Sequence, residues 1–256
     1  MWVRRAALSI VVPVLLLLAW FWVHAQQGTQ SSYITDPREV LRKAWLLRGT
    51  LGENSILSLW RLAFGMVIGA VAGVGTGILL GRQKLARRLF GPTLSVVAAI
   101  PVIVLIPFFL MIFGFGELFR IAVVAAVVQM LVHQAVFNSV RFFPAAWLEL
   151  AAHREKTGWQ VVKEMLIPSA LPEIVRAVRL SLLLAWLAIA IGEKAVAEWP
   201  NGGLGYQIMR ARELGKYEEL FAAVLVLGAI AWVADSMLGW LERVVSHWRG
   251  VPAENL

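Results

Sequence analysis

Gln129 and His133 stand four residues apart in an otherwise apolar run, with Gln134 and Asn138 close by, and Glu193-Lys194 ends a later apolar run. Side chains of these types can tie helices together by hydrogen bonds or touch a polar solute, and both readings stay open. Catalysis would need more. The sequence has no HExxH or GxSxG motif, its four histidines show no metal-ligand spacing, and it has no cysteine for a thiolate or a disulfide. It also lacks G-x-x-x-x-G-K-[ST], so it cannot cradle nucleotide phosphates as a P-loop does. No catalytic residue, cofactor site or metal site is therefore expected on this chain.

The richest polar stretch is Glu149 to Pro172, ELAAHREKTGWQVVKEMLIPSALP. Apolar segments long enough to cross a bilayer flank it, so it must sit in water on one side, where a soluble partner can grip it. Ala151 and Ala152 allow close approach, and Glu149, His153, Arg154, Glu155 and Lys156 give a surface with both signs of charge. Thr157-Gly158 is expected to make the turn, because glycine tolerates positive φ. A second short amphipathic run, Trp159 to Leu166, is expected to stop at Pro168 and Pro172. The pattern predicts two short helices at an angle at the membrane surface; an ordinary amphipathic loop is the plainer alternative.

Six apolar segments must position these residues. With 59% hydrophobic and 16% charged residues, 12 Trp and 12 Phe, the composition is that of an integral membrane protein. The formal charge of +8 fits basic cytoplasmic loops better than nucleic-acid binding. The first segment, Ala6 to Val23, follows Arg4-Arg5, which places the N-terminus in the cytoplasm; Val23-His24-Ala25 also suits signal-peptide cleavage. Asp36-Pro37 opens an amphipathic helix to about Leu47, suited to the outer surface or to a lid over the bundle. The second span, about Ile56 to Leu80, carries Gly65, Gly69, Gly73, Gly77 and Gly81, a smooth face for another helix. Arg82, Lys84, Arg87 and Arg88 then mark a cytoplasmic loop. The third span, about Leu94 to Phe113, contains Pro101 and Pro107 and ends in the turn Phe113-Gly-Phe-Gly-Glu117. The fourth runs from about Leu118 to Val140, the fifth from about Ile174 to Ala195, and the sixth from about Glu219 to Trp240. Asp235, near the inner end of the sixth, is expected to pair with a cytoplasmic arginine rather than to be catalytic, and the fifth span starts with Arg176 and Arg179 on the inner side.

Glu149-x-Ala151 with Ile167-Pro168 resembles the EAA-loop signature of the inner-membrane permease subunits of binding-protein-dependent ABC importers. Ser58-Leu59-Trp60-Arg61, Ala99-Ile100-Pro101, Phe113 to Glu117, Gly203-Leu204-Gly205-Tyr206, Leu241-Glu242-Arg243 and Trp248-Arg249 are similar to the sulfonate, taurine and nitrate branch. The loop departs from the pattern at Glu155, where the family has glycine, and we expect Gly158 to supply the turn instead. Residues near Trp199-Pro200-Asn201 form an apparent insertion of the outer loop.

The resemblance implies an all-α, polytopic membrane protein with six transmembrane helices and a cytoplasmic coupling-helix loop. Residues 1–55 would form the N-terminal helix and outer segment, 56–249 the permease core with its coupling loop at 142–172, and 250–256 a tail. It further implies coupling to an ATPase through Glu149, Ala151, Ala152, Glu155, Gly158, Ile167 and Pro168. Gln129, His133 and Glu193 become candidates for the translocation pathway, and Gly203, Gly205 and Tyr206 for contact with a solute-binding protein. The implied partners are two ABC ATPase subunits carrying ATP and Mg, a second copy of the permease, a periplasmic or lipid-anchored binding protein, and membrane lipid, with no nucleic acid. The implied location is the bacterial inner membrane with both termini cytoplasmic, and the implied cargo a small anion. A membrane scaffold or sensor that docks an ATPase without moving solute is the alternative.

Overall fold

The computed structural model describes residues 2–27, 35–195 and 202–247. The insertion near Trp199-Pro200-Asn201 and the closing Trp248-Arg249 lie outside the described residues. Every regular element among the described residues is helical: α1 (Trp2–Gln27), α2 (Pro37–Leu46), α3 (Arg48–Arg82), α4 (Lys84–Ala99), α5 (Val102–Phe113), α6 (Glu117–Arg141), α7 (Ala145–His153), α8 (Gly158–Val161), a π turn (Val162–Leu166), α9 (Ile167–Ala195), α10 (Leu204–Glu213) and α11 (Tyr217–His247).

The architecture turns on α6, which is packed between α3 and α9. Its valines 124, 128, 132, 136 and 140 recur every four residues, and they meet the five regularly spaced glycines among those of α3 in the same order, Gly65 against Val124 through Gly81 against Val140. Matched ascending numbers mean that α3 and α6 run parallel. A Cβ added at Gly73 would lie 2.8 Å from Val132 Cβ and 2.9 Å from the Gln129 carbonyl oxygen, so the two backbones approach as closely as missing side chains allow. On its other side α6 buries Phe119, Val123 and Val127 with Ala185, Ala188 and Ile189 of α9.

Parallel neighbours require the chain to return between them, and α4 and α5 make that return. They meet at an angle of 109°, with the break at Ile100-Pro101. The expected third span is thus a broken pair. Pro101 is the N-cap of α5 and sits where its missing N–H costs nothing, whereas Pro107 lies inside α5 without ending it. Among the described residues, four helical stretches are long and apolar enough to cross a membrane, 48–82, 117–141, 158–195 and 217–246, and α1 contributes the shorter apolar segment Val14–Gln26. The four long stretches, the bent α4–α5 pair and the apolar part of α1 are the described counterparts of the six apolar segments, without confirming a count of six membrane helices.

Two further boundaries differ from expectation. The basic cluster is not a loop: Arg82 ends α3, only Gln83 separates the helices, and Lys84 opens α4. Pro168 and Pro172 do not stop the coupling segment either. The Ile167 N–H bonds the Val162 carbonyl, five residues back, so the helix is widened by a π turn immediately before Pro168. Helical structure therefore continues from Gly158 to Ala195. The start of α2 is as its sequence suggests, with Asp36 Oδ1 accepting from Arg38 N at 2.9 Å and Pro37 in the first turn.

Candidate coupling loop and translocation site

The C-terminal ends of α3 and α6 and the start of α8 lie at one end of the bundle. There α7 stands apart from the long helices and exposes Trp147, Leu148, Glu149 and Leu150 while Ala151 is buried. Its exit is a tight C-cap: Lys156 N donates to Ala151 O at 3.1 Å and Glu155 N to Ala152 O at 3.0 Å. The left-handed residue of this turn is Glu155, at φ 51°, in the position where the resemblance expects glycine. Gly158 does not supply the turn. It is the first residue of α8, and its carbonyl accepts from Arg82 Nη1 at 2.8 Å.

The same helix start is braced by Gln160, whose Oε1 accepts from Thr157 N at 2.7 Å, and by an ion pair between Lys156 and Glu164. Ala152, Glu155, Gly158 and Pro168 are exposed and Ile167 half-buried, so the seven candidate coupling residues form one loop but not one uniform surface.

The opposite end of the bundle is closed by a buried polar junction. Arg61 of α3, fully buried, holds Glu193 of α9 at 2.9 Å through Nη1 and Glu117 of α6 at 2.6 and 2.7 Å through Nη2 and Nε. Arg120 also pairs with Glu117. Ser58 Oγ donates to Glu193 Oε1 at 2.7 Å and accepts from Leu204 N at 2.9 Å, while Glu193 Oε2 accepts from Gly205 N at 2.8 Å. Asn54 Oδ1 accepts from Gly203 N at 2.9 Å, and its amide reaches Gln207. A carboxylate at the first N–H groups of α10 satisfies donors that a helix start leaves free.

This places Glu193, Gly203 and Gly205 together in the interior. Gly203 has φ 87°, and a Cβ there would lie 2.1 Å from Glu193 Oε1; a Cβ on Gly205 would lie 2.5 Å from Ala190 Cα. Tyr206 is half-buried beside them, its ring packed on Gly202.

Gln129 and His133 sit elsewhere, midway along α6. His133 Nδ1 lies 3.0 Å and Gln129 Nε2 3.4 Å from Thr76 Oγ1 of α3, and the His133 ring stacks on Phe137. Both line a cavity of about 440 Å³ between α4, the α4–α5 break and α6. They share no contact with Glu193, so the three pathway candidates separate into a buried junction and a cavity wall.

Sequence reasoning on individual residues passed over Asn54, Ser58, Arg61, Glu117, Arg120 and Gln207. A usable signal was present: an arginine deep in an apolar span requires an acid partner, and Glu117 and Glu193 are the acids bordering neighbouring spans. The same rule applies between α9 and α11, where Asp235 meets Arg179 at 2.8 and 2.9 Å and Glu242 takes both Arg179 and Arg176.

A glycine-seamed helical bundle, polar at both ends and interrupted by an exposed helical loop, is the architecture of a polytopic membrane protein of the permease kind. The chain belongs to the family described as "Binding-protein-dependent transport system inner membrane component", which matches residues 65–248. It is thus the inner-membrane permease subunit of an import system. Among its relatives, a permease named for aliphatic sulfonates transport from Bacillus subtilis (strain 168) is 28% identical over 94% of this chain and 87% of its own length. The taurine transport system permease protein of Escherichia coli (strain K12) is 24% identical over 96% and 91%. The nitrate import permease protein of Synechococcus elongatus is 25% identical over 96% and 93%. The fold is similar to that of a chain from the MetNI methionine ABC transporter in an inward-facing conformation, with a TM-score of 0.61 at 24% identity over 78% of this chain and 96% of that one.

Proposed function

We propose that this permease passes a small organic or inorganic anion, such as a sulfonate, taurine or nitrate, from a solute-binding protein to the cytoplasm by alternating access. Two copies of the chain would pair above two ATPase subunits, which bind ATP and Mg; the binding protein would be periplasmic or lipid-anchored. Both termini and the α7–α8 loop would face the cytoplasm. The observation that carries this reading is the form of the loop: α7 stands clear of the bundle and presents exposed apolar and acidic side chains, yet the segment that follows it continues unbroken into α9. A push on the loop would therefore be carried along a rigid element to the Arg61–Glu193 junction at the far end.

In this scheme Glu149, Ala151, Ala152, Glu155, Gly158, Ile167 and Pro168 form or support the ATPase seat. Gln129 and His133 border the pathway. Glu193, with Gly203 and Gly205, anchors the outer loop on which Tyr206 sits, so that docking of a binding protein there would bear on the same junction. The relatives named for sulfonate, taurine and nitrate transport support the cargo class. Reconstitution with the cognate ATPase and binding protein tests the reading. ATP-driven uptake that requires the binding protein is expected, whereas ATPase binding without solute flux would favour the scaffold alternative.

A further inference from the structure

The basic cluster after α3 is not uniform. Arg82 is committed to Gly158, Lys84 and Arg88 are exposed, but Arg87 is half-buried and lines the cavity that also holds Gln129 and His133. Its only hydrogen bonds among the described residues are long ones, to the carbonyls of Leu80 and Gly81 at 3.4 and 3.3 Å. No carboxylate among those residues offsets it. The two buried arginines, Arg61 and Arg120, are by contrast each matched by an acid.

The rest of the wall is of one electrostatic kind. Ser95, Gln129, His133 and Gln134 supply neutral polar groups, and among the described residues none of the lining side chains is acidic. A volume of about 440 Å³ is within the range of small-ligand sites. The cavity reaches from the middle of α6 to the end of the bundle that bears the coupling loop, as an inner exit would.

A guanidinium without a counter-ion, facing an apolar cavity with polar spots, favours a compact oxyanion, whose oxygens match its paired N–H groups. We propose that Arg87 is a specificity-determining residue of the permease, forming with Gln129 and His133 a transient site for a small oxyanion on its way to the cytoplasm. This rests on the permease reading above and adds a place and a residue to it.

Two measurements on the complete permease–ATPase complex test the proposal. In the first, the wild-type complex in maltoside detergent is treated with phenylglyoxal, and modification of Arg87 is mapped by mass spectrometry with and without ethanesulfonate, taurine or nitrate at high millimolar concentration. Protection by at least one of them is expected. An Arg87 that does not react, or reacts equally in all cases, overturns the site. So does protection by added phosphatidylglycerol alone, which would assign the oxyanion to a lipid headgroup.

In the second, uptake into proteoliposomes is compared at saturating loaded binding protein. Arg87→Gln is expected to slow uptake about tenfold, the loss of one charge-assisted hydrogen bond, with normal assembly. Arg87→Lys should retain most of the rate and Arg88→Gln all of it. Equal rates for wild type and Arg87→Gln, or equal losses for Gln and Lys, count against the proposal. Absence of uptake by the wild type would instead count against the permease reading, and the modification experiment still decides the site.

Discussion

Arg61 and Glu193 meet at 2.9 Å with neither side chain exposed, across 132 residues of sequence. The pair fastens α3 to α9, and through Glu117 the same guanidinium also holds α6. The three helices that form the core are thus locked at the end away from the coupling loop. Pairing makes the burial of these charges tolerable, and removal of one partner does not.

Arg61→Met should therefore cost about 3–5 kcal/mol, because Glu193 is left as an uncompensated buried charge. Thermal unfolding in detergent would show this as a large fall in midpoint. The double variant Arg61→Met with Glu193→Gln should recover part of the loss, since the two positions are coupled. A single variant as stable as the wild type would mean that the pair does not hold the bundle.

The glycine seam gives a paired prediction within one helix. Gly73→Ala should destabilise by about 1–3 kcal/mol, because its new methyl meets Val132 and backbone atoms of α6 under 3.0 Å or at that limit. Gly75, two residues on, has nothing within 4 Å of the place a new methyl would take, so Gly75→Ala should be neutral or gain up to about 1 kcal/mol from helix propensity. Equal effects of the two substitutions would remove the seam as the cause.

The turn after α7 separates two residues that the sequence leads one to exchange. Glu155→Gly should steady the loop by up to about 1 kcal/mol, as an L residue at positive φ pays a steric cost that glycine avoids, offset in part by glycine's larger unfolded entropy. Gly158→Ala should be harmless, because Gly158 is helical and the nearest atom to a new Cβ is the flexible end of Arg82 at 3.3 Å. Hydrogen exchange at the amides of Arg154, Glu155 and Lys156 reads both. Loss of protection in Gly158→Ala with none gained in Glu155→Gly would reverse the assignment.

These cases show which features are legible in the chain and which are not. The period of five glycines announces a helix seam, because a four-residue repeat puts small residues on one face whatever the partner is; the matching valine period on α6 is equally visible once sought. Asp36-Pro37 and the coupling loop between two apolar runs are local signals and read directly. The turn at Glu155 is hidden because backbone hydrogen bonds to Ala151 and Ala152 impose it against the residue's own preference. Passage through Pro168 depends on a π turn that no residue type announces. The Arg61 junction joins residues far apart in sequence, so composition supplies its members but not their pairing.

Glu149 is the position where the docking hypothesis is most exposed to test. It projects from α7 with no ion pair or hydrogen bond to another side chain among the described residues, so its charge is free to meet a partner. The helix that carries it contributes no residue to the hydrophobic core that α3, α6 and α9 share. Glu149→Lys should therefore leave membrane insertion and thermal midpoint unchanged. Co-purification of the ATPase should weaken by about tenfold or more, as expected when a charge at an interface is reversed. ATP-driven uptake should fall in parallel. If the ATPase binds this variant as it binds the wild type and uptake persists, the motor grips the permease elsewhere, and the exposed acidic face of α7 has no part in coupling.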